Sequence, residues 1–297
     1  MQGHTTVLLH EAVEGLSLSP GNTVVDATLG LGGHSVLLAD IVGAGGVVVG
    51  IDADQNAIDE ARSRLATVEA RVHLINGNFR DLATHLSAIG FSEIHGALFD
   101  LGWNSTQLNA GRGFSFKSDD PLVMTLDAHP EEGRLTAHTI VNQWSERDLA
   151  DIIRTLGEEK FAGRIARVIV EHRKKTRITR ANELAEIISS AVPHFYRVGS
   201  IHPATKTFQA LRMMVNDELT SLTAGLEQAF SLLATHGRIA VITFHSLEDG
   251  LVKRLFRDLA KEGRAILVTK KPHIPTREEI SNNPRARSAK LRIIEKV

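Results

Sequence analysis

Nine residues near the start of the chain carry chemistry that can be read directly: Asp26-Ala27-Thr28-Leu29-Gly30-Leu31-Gly32-Gly33-His34. They follow a short apolar run at 23–25 and precede a helical pattern at 35–41. A Gly-rich turn between strand and helix lets a ligand approach the backbone, because glycine carries no side chain and tolerates positive φ. A second apolar run, 47–51, ends in Asp52. A carboxylate at the tip of a second strand accepts hydrogen bonds from the two hydroxyls of a ribose. The pair points to a nucleoside cofactor. A dinucleotide site wants a third glycine beneath the pyrophosphate; that position is Ser35, and the turn opens on Asp26, which repels a pyrophosphate. An acid there suits a cationic or zwitterionic ligand, such as the amino group of S-adenosylmethionine. The loop therefore favours a methyl donor over the dinucleotide of a dehydrogenase.

Positioning these residues requires alternating strands and helices. Apolar runs predict strands at 23–26, 47–52, 72–75 and 95–101, with helices at 35–41, 55–65 and 82–89 between them. Such alternation implies right-handed crossovers and a mostly parallel sheet, with ligands at the carboxyl ends of the strands. Asp26, Asp52, the Asn76–Phe79 turn and Asp100 all fall there. From about 108 to 205 the pattern changes to loop and helices. The sheet is therefore expected from residues 1–107 and 206–297, with 108–205 as a helical insertion that recognises substrate. Phe208, Leu211, Val215, Leu219, Leu222, Leu226, Phe230 and Leu233 recur at spacings of three and four and predict one long amphipathic helix, stopped by Gly237. A strand at 238–244, a helix at 250–260 and strands at 265–269 and near 291–294 complete the chain. There are no internal repeats.

At 297 residues and 42% hydrophobic content, the chain is an ordinary globular protein of one large domain or two smaller ones. No apolar run reaches membrane-span length and the N-terminus has no secretory pattern, so a cytoplasmic location is expected. There is no cysteine. That removes disulfides, thiolate metal sites and the thiolate addition that methylation at C5 of a pyrimidine ordinarily needs. Any base methylation is then direct transfer to nitrogen or oxygen. No ligand spacing supports a metal. The formal net charge is −1, yet Lys160, Arg164, Arg167, Arg173, Lys174, Lys175, Arg177 and Arg180 stand against one acid, Glu171. Such a segment is a footprint for phosphates or a solvated helix face.

Asp100 ends the fourth strand, where a carboxylate accepts a hydrogen bond from a substrate amine or the cofactor, or caps its own loop. His245 ends the fifth and is placed to bond a base, shuttle a proton or simply sit satisfied in a loop. Ser246 is expected to cap the next helix, with Asp249 closing a capping box. Thr205, Gln209, Arg212 and Asn216 form a polar line that meets RNA or holds the insertion. Asn283-Pro284-Arg285-Ala286-Arg287-Ser288 is a basic turn, suited to a phosphate or to solvent.

Taken together, the residues resemble the bacterial 16S rRNA cytosine-N4 methyltransferases known as RsmH or MraW. The likeness rests on His4-Thr5-Thr6-Val7-Leu8-Leu9, Gly32-Gly33-His34, Asp100-Leu101-Gly102, Arg112-Gly113-Phe114-Ser115-Phe116, Gly157-Glu158-Glu159, His202-Pro203-Ala204-Thr205, Phe244-His245-Ser246-Leu247-Glu248-Asp249 and the 283–288 turn, in family order. The resemblance implies an α/β, class I (Rossmann-like) methyltransferase fold with a helical inserted domain. It implies methyl transfer from S-adenosylmethionine to N4 of a cytidine in the decoding region of 16S rRNA, within a largely assembled small subunit. It assigns cofactor contacts to Gly32, Gly33, His34, Asp52, Phe79, Asp100 and Gln107, with Phe79 beside the adenine. Asp100 and His245 are the expected catalytic residues, and a homodimer is left open.

Two places depart from the family pattern. Where the family has Val-Ser-Ser-Pro-Gln-Leu-Asp, this chain has Trp103-Asn104-Ser105-Thr106-Gln107-Leu108-Asn109; Asp120-Pro121-Leu122-Val123-Met124-Thr125-Leu126-Asp127 also loses one acid and one arginine. Trp103 is placed to stack on the target base, a contact of about 1–3 kcal/mol, or to join the core. The competing classes are a non-catalytic ribosome-assembly factor and a methyltransferase acting on DNA or a small molecule. The usual Asp-Pro-Pro-Tyr-like turn of DNA amino-methyltransferases is absent, because Leu101-Gly102 follows Asp100.

Overall fold

The computed structural model describes residues 5–102, 111–128, 130, 133–199 and 201–297. These divide into two compact units, Met1–Asn104 with Leu219–Val297, and Ser105–Glu218. The chain begins α1 (Leu9–Gly15), β1 (Thr23–Asp26), α2 (Gly33–Val42), β2 (Val47–Asp52), α3 (Gln55–Arg64), β3 (Arg71–Asn76), α4 (Leu82–Ala88) and β4 (Ile94–Asp100). The second unit contributes α5 (Ala137–Gln143), α6 (Glu146–Thr155), α7 (Ala162–Arg173), α8 (Ala181–Ala191), α9 (His194–Arg197) and α10 (Thr205–Asn216). The chain closes with α11 (Glu218–Leu232), β5 (Leu233–Thr243), α12 (Ser246–Lys261), β6 (Ala265–Leu267), α13 (Arg277–Asn282) and β7 (Lys290–Lys296).

The first unit is a seven-stranded sheet in the order β3-β2-β1-β4-β5-β7-β6. β1 to β5 run parallel; β7 lies antiparallel between β5 and β6. Val24, Val48, Leu98, Ala240 and Ile242 face α1 and α2, while Val25, Val49, Phe99 and Val241 face α4, α11 and α12. Burial on both faces is why these strands read as near-continuous apolar runs. The chain turns to opposite sides of β1, to β2 and to β4. That reversal opens a crevice at the carboxyl ends of the strands. The fold is the expected α/β, Rossmann-like one.

Two expectations along the chain change. The long helix predicted over 208–233 is two helices. Asp217 sits in the left-handed region at φ 47° and ends α10, its N–H bonded to the carbonyls of Met213 and Met214. Asp is one of the few residues that tolerate this conformation. Apolar spacing carries across the break because both halves bury a face. Nor does Gly237 stop the second half: α11 ends at Leu232 and β5 already begins at Leu233. The compact unit Ser105–Glu218 includes α10.

Within the second unit, Ile140, Val141, Leu149, Ile153, Ile165, Ile169, Leu184 and Ile188 are buried. Thr136 and Ser145 cap α5 and α6, accepting the N–H groups of Thr139 and Asp148. The Asn142 amide holds the approach to α8 like a strand partner: it donates to the Ile178 carbonyl at 2.8 Å and accepts the Ile178 N–H at 3.0 Å. Among the described residues no helix is long and apolar enough to cross a membrane.

Candidate active site

The crevice is built from the tips of β1, β2 and β4. Register places Asp26 beside Gly50 and Leu98, Asp52 beside Asn76, and Asp100 beside Ile242, so three carboxylates end neighbouring strands. Each is anchored. Asp26 accepts the Ser35 hydroxyl at 2.6 Å and the Thr28 N–H at 3.3 Å. Asp52 accepts the N–H of Gly30 at 2.8 Å and of Asp54 at 2.9 Å. Asp100 accepts the Gly102 N–H at 3.2 Å, and its own N–H donates to Thr28 Oγ1 at 2.6 Å. Thr28 and Ser35 thus hold the acids in place, a role the sequence reading did not assign. Thr28 lies in the Gly-rich motif and its hydroxyl reaches β4; Ser35 follows the motif in α2 and reaches back to β1.

The turn between them needs its glycines. Gly30 and Gly32 have φ of 50° and 78°, a region open to glycine without a Cβ penalty. A Cβ on Gly33 would overlap the Thr6 hydroxyl, so this glycine lets the N-terminal segment lie against the start of α2. His34 is buried, with Nδ1 3.8 Å from Asp100 Oδ2. Phe79 opens a single 3-10 turn, Phe79–Asp81, and meets the Phe99 ring edge-on at 5.6 Å. Its other side packs on Gly225, where a Cβ would come within 2.7 Å of the ring. Gln228 on α11 braces the same turn by donating to the Arg80 carbonyl, and it accepts the Ala83 N–H of α4 at 2.8 Å. Gln107 lies outside the described residues, as do Trp103 and the altered loop that follows it.

Burial pushes all three acids up: Asp26 and Asp52 to about 6, Asp100 to about 7. The neighbouring charges of Asp26 and Glu248 raise Asp100 further, against the lowering effect of its Gly102 bond. Among the described residues no Lys or Arg side chain reaches these carboxylates. A crevice with three desolvated acids and no internal cation favours a positively charged guest.

His245 is used differently. It is the N-cap of α12: Nδ1 accepts the Glu248 N–H at 3.4 Å, and Nε2 lies 3.0 Å from Glu248 Oε1. Glu248 in turn accepts the N–H groups of Phe244 and His245 at 2.8 and 3.3 Å. The capping box runs from His245 to Glu248, not from Ser246 to Asp249. An imidazole nitrogen accepts a backbone N–H as a hydroxyl does, so the cap shifts by one residue. Asp249 pairs instead with Arg292 at 2.7 Å and Lys290 at 3.1 Å.

Several of the remaining motif residues make contacts within the fold. Arg112 donates to the carbonyls of Thr125 and Leu126 at 3.1 and 2.6 Å. His202 stacks on Phe116 at 4.3 Å, and Glu159 accepts the Phe161 N–H and the Tyr196 hydroxyl. The polar line on α10 holds its own unit: Gln209 donates to the Leu156 carbonyl, Arg212 pairs with Glu218, and Asn216 bonds the backbone of Met124 and Leu126. Of the eight cations in 160–180, Arg173 donates to the carbonyls of Val141 and Trp144, Arg180 to that of Asp119, and Arg167 pairs with Glu146. The basic segment is therefore partly scaffold. Asn283 ties the C-terminal turn to the carbonyl of Thr5, leaving Arg285 and Arg287 exposed.

Comparison with known proteins bears on the chemistry. The profile of the MraW methylase family matches residues 1–297. The chain belongs to this family. Within it, the relative from Brevibacillus brevis (strain 47 / JCM 6285 / NBRC 100599), named ribosomal RNA small subunit methyltransferase H, is 44% identical, covering 99% of this chain and 98% of its own. A relative of the same name from Sulfurihydrogenibium sp. (strain YO3AOP1) is 45% identical, with 99% of both chains covered. Membership makes the protein a methyltransferase and the crevice its candidate active site.

Proposed function

We propose that the protein transfers a methyl group from S-adenosylmethionine to the exocyclic N4 of a cytidine in the decoding region of 16S rRNA, working in the cytoplasm. The small-subunit rRNA methyltransferase name carried by relatives at 41–45% identity supports the substrate. The observation that carries the donor is the crevice itself: three acids raised by burial, on a Gly-rich turn, with no Lys or Arg answering them among the described residues.

When bound, S-adenosylmethionine supplies a methyl carbon on a cationic sulfur, which keeps the bonding electrons as it leaves. Gly32, Gly33 and His34 border the donor at the start of α2, Asp52 receives the ribose hydroxyls and Phe79 flanks the adenine. Gln107 is assigned to the donor by family pattern. Cytosine N4 is a weak nucleophile because its lone pair is delocalised into the ring. Holding it in line with the methyl carbon supplies much of the rate. An ionised Asp100 accepts a hydrogen bond from the amine and raises electron density at nitrogen. After attack, the nitrogen carries one proton too many, which passes to Asp100 or water. His245, whose Nδ1 caps α12 while Nε2 makes no hydrogen bond among the described residues, is a second candidate to receive the proton. The target base must leave its stack to enter the crevice. Incubation with labelled donor and equal masses of small subunits and naked DNA tests the reading: label enters the subunits, and label in DNA alone would overturn it.

A further inference from the structure

A second group of cations, apart from the one most visible in the sequence, lies on the sheet unit. From Lys253 to Arg292 the chain carries twelve Lys and Arg against four Asp and Glu, in a protein of net charge −1. Several of these cations converge on a cleft of about 280 Å³ between α12, β7 and the segment after β6. Lys253 and Arg257, one helical turn apart on α12, line it together with Lys270, Arg292, Phe256 and Leu267. Arg292 is fixed by Asp249 at 2.7 Å. Lys253, Arg257 and Lys270 are exposed, and among the described residues none has an acidic partner. Like charges at this helical spacing disfavour the helix that carries them, so their grouping around a concave surface calls for an anion.

The cleft also lies level with the crevice. Arg292 is in register with Val241 of β5, and the next β5 residue, Ile242, is in register with Asp100. Two to three strand spacings, roughly 10–15 Å, separate β4 from the cleft, a span of a few nucleotides. We propose that the cleft holds backbone phosphates of the RNA strand flanking the target nucleotide, so that the sheet unit carries an RNA-binding wall of its own. This rests on small-subunit rRNA as the substrate.

The test is the Lys253→Glu/Arg257→Glu double variant, assayed by methylation of small subunits over a range of salt. The KM for subunits rises at least tenfold, while kcat, donor Kd and melting temperature stay near wild type. The slope of log KM against log salt flattens by about one to two, the loss of one or two phosphate contacts. Arg257→Lys restores most of the affinity. An unchanged KM and slope overturn the proposal, as does an equal effect from Arg62→Glu/Arg64→Glu, the same charge change on α3. Filter binding of labelled 16S rRNA separates the cleft from the activity: equal retention of RNA by wild type and double variant sinks the cleft. Cleft-dependent retention without methyl transfer by wild type sinks the activity instead.

Discussion

Asp52 Oδ2 accepts the Gly30 N–H at 2.8 Å across a separation of 22 residues, fastening the tip of the second strand to the turn after the first. Its other oxygen holds the Asp54 N–H at 2.9 Å. The residue read from sequence as a ribose acceptor therefore also fixes the shape of the glycine turn. Asp52→Asn turns one acceptor into a donor facing a backbone N–H, a mismatch of about 1–3 kcal/mol. Donor affinity falls tenfold or more in isothermal titration. An Asn variant that binds the donor as tightly as wild type would contradict both roles.

The pH dependence of methyl transfer follows from Asp100. Burial holds its pKa up at about 7, and only the ionised carboxylate accepts a hydrogen bond from the substrate amine. Under donor-limiting conditions kcat/KM rises with pH through about 7 and falls below it. Assayed at saturating donor, Asp100→Asn loses about 10²–10⁴-fold in kcat, the usual range for positioned proton acceptors. A flat pH profile, or wild-type turnover by the Asn variant, would remove the acceptor role.

Stability without ligand has an unusual pH slope for the same reason. Asp26, Asp52 and Asp100 titrate higher in the fold than in the unfolded chain. The folded state therefore binds more protons between about pH 4 and 7, and stability is lost as pH rises through that window. His202, whose pKa is lowered by burial and by Lys117, opposes this, while the lowered carboxyls of Asp249 and Glu295 oppose it mainly at the acid end of the window. The ligand-free protein melts at a higher temperature at pH 5 than at pH 7.5, and added S-adenosylmethionine narrows the gap by placing positive charge among ionised acids. A melting temperature that climbs from pH 5 to 7.5 without ligand would show that the carboxylates are not desolvated as described.

Gly225 has its importance through Phe79. A methyl group there would come within 2.7 Å of the Phe79 ring and 3.0 Å of its carbonyl. Gly225→Ala must displace the 3-10 turn, at the cost of about 1–3 kcal/mol typical of overpacking. Helix propensity returns up to about 1 kcal/mol, so the net loss in thermal unfolding is small while donor affinity drops several-fold. Unchanged donor affinity would detach Phe79 from the cofactor site.

Much of this was legible in the sequence because strand tips announce themselves. A parallel strand buried on both faces reads as an apolar run, and the polar residue that ends it is conspicuous, as with Asp26, Asp52 and Asp100. What stayed hidden depended on backbone geometry. The break at Asp217 leaves the apolar spacing of α10 and α11 intact, so only its left-handed φ reveals two helices. The shift of the cap to His245 turns on an imidazole doing the work of a hydroxyl. The roles of Arg173 and Arg180 as carbonyl donors were invisible in a charge count. The basic cleft joins α12, β7 and the segment after β6 only once the sheet is folded.

The central claim is N4 methylation of a cytidine in small-subunit rRNA. Small subunits from cells lacking cytidine N4 methylation are incubated with the purified protein and labelled S-adenosylmethionine. The rRNA is then digested to nucleosides and analysed by mass spectrometry. The account predicts label in N4-methylcytidine from 16S rRNA. Label in another nucleoside, or none while the protein binds the donor, would contradict it.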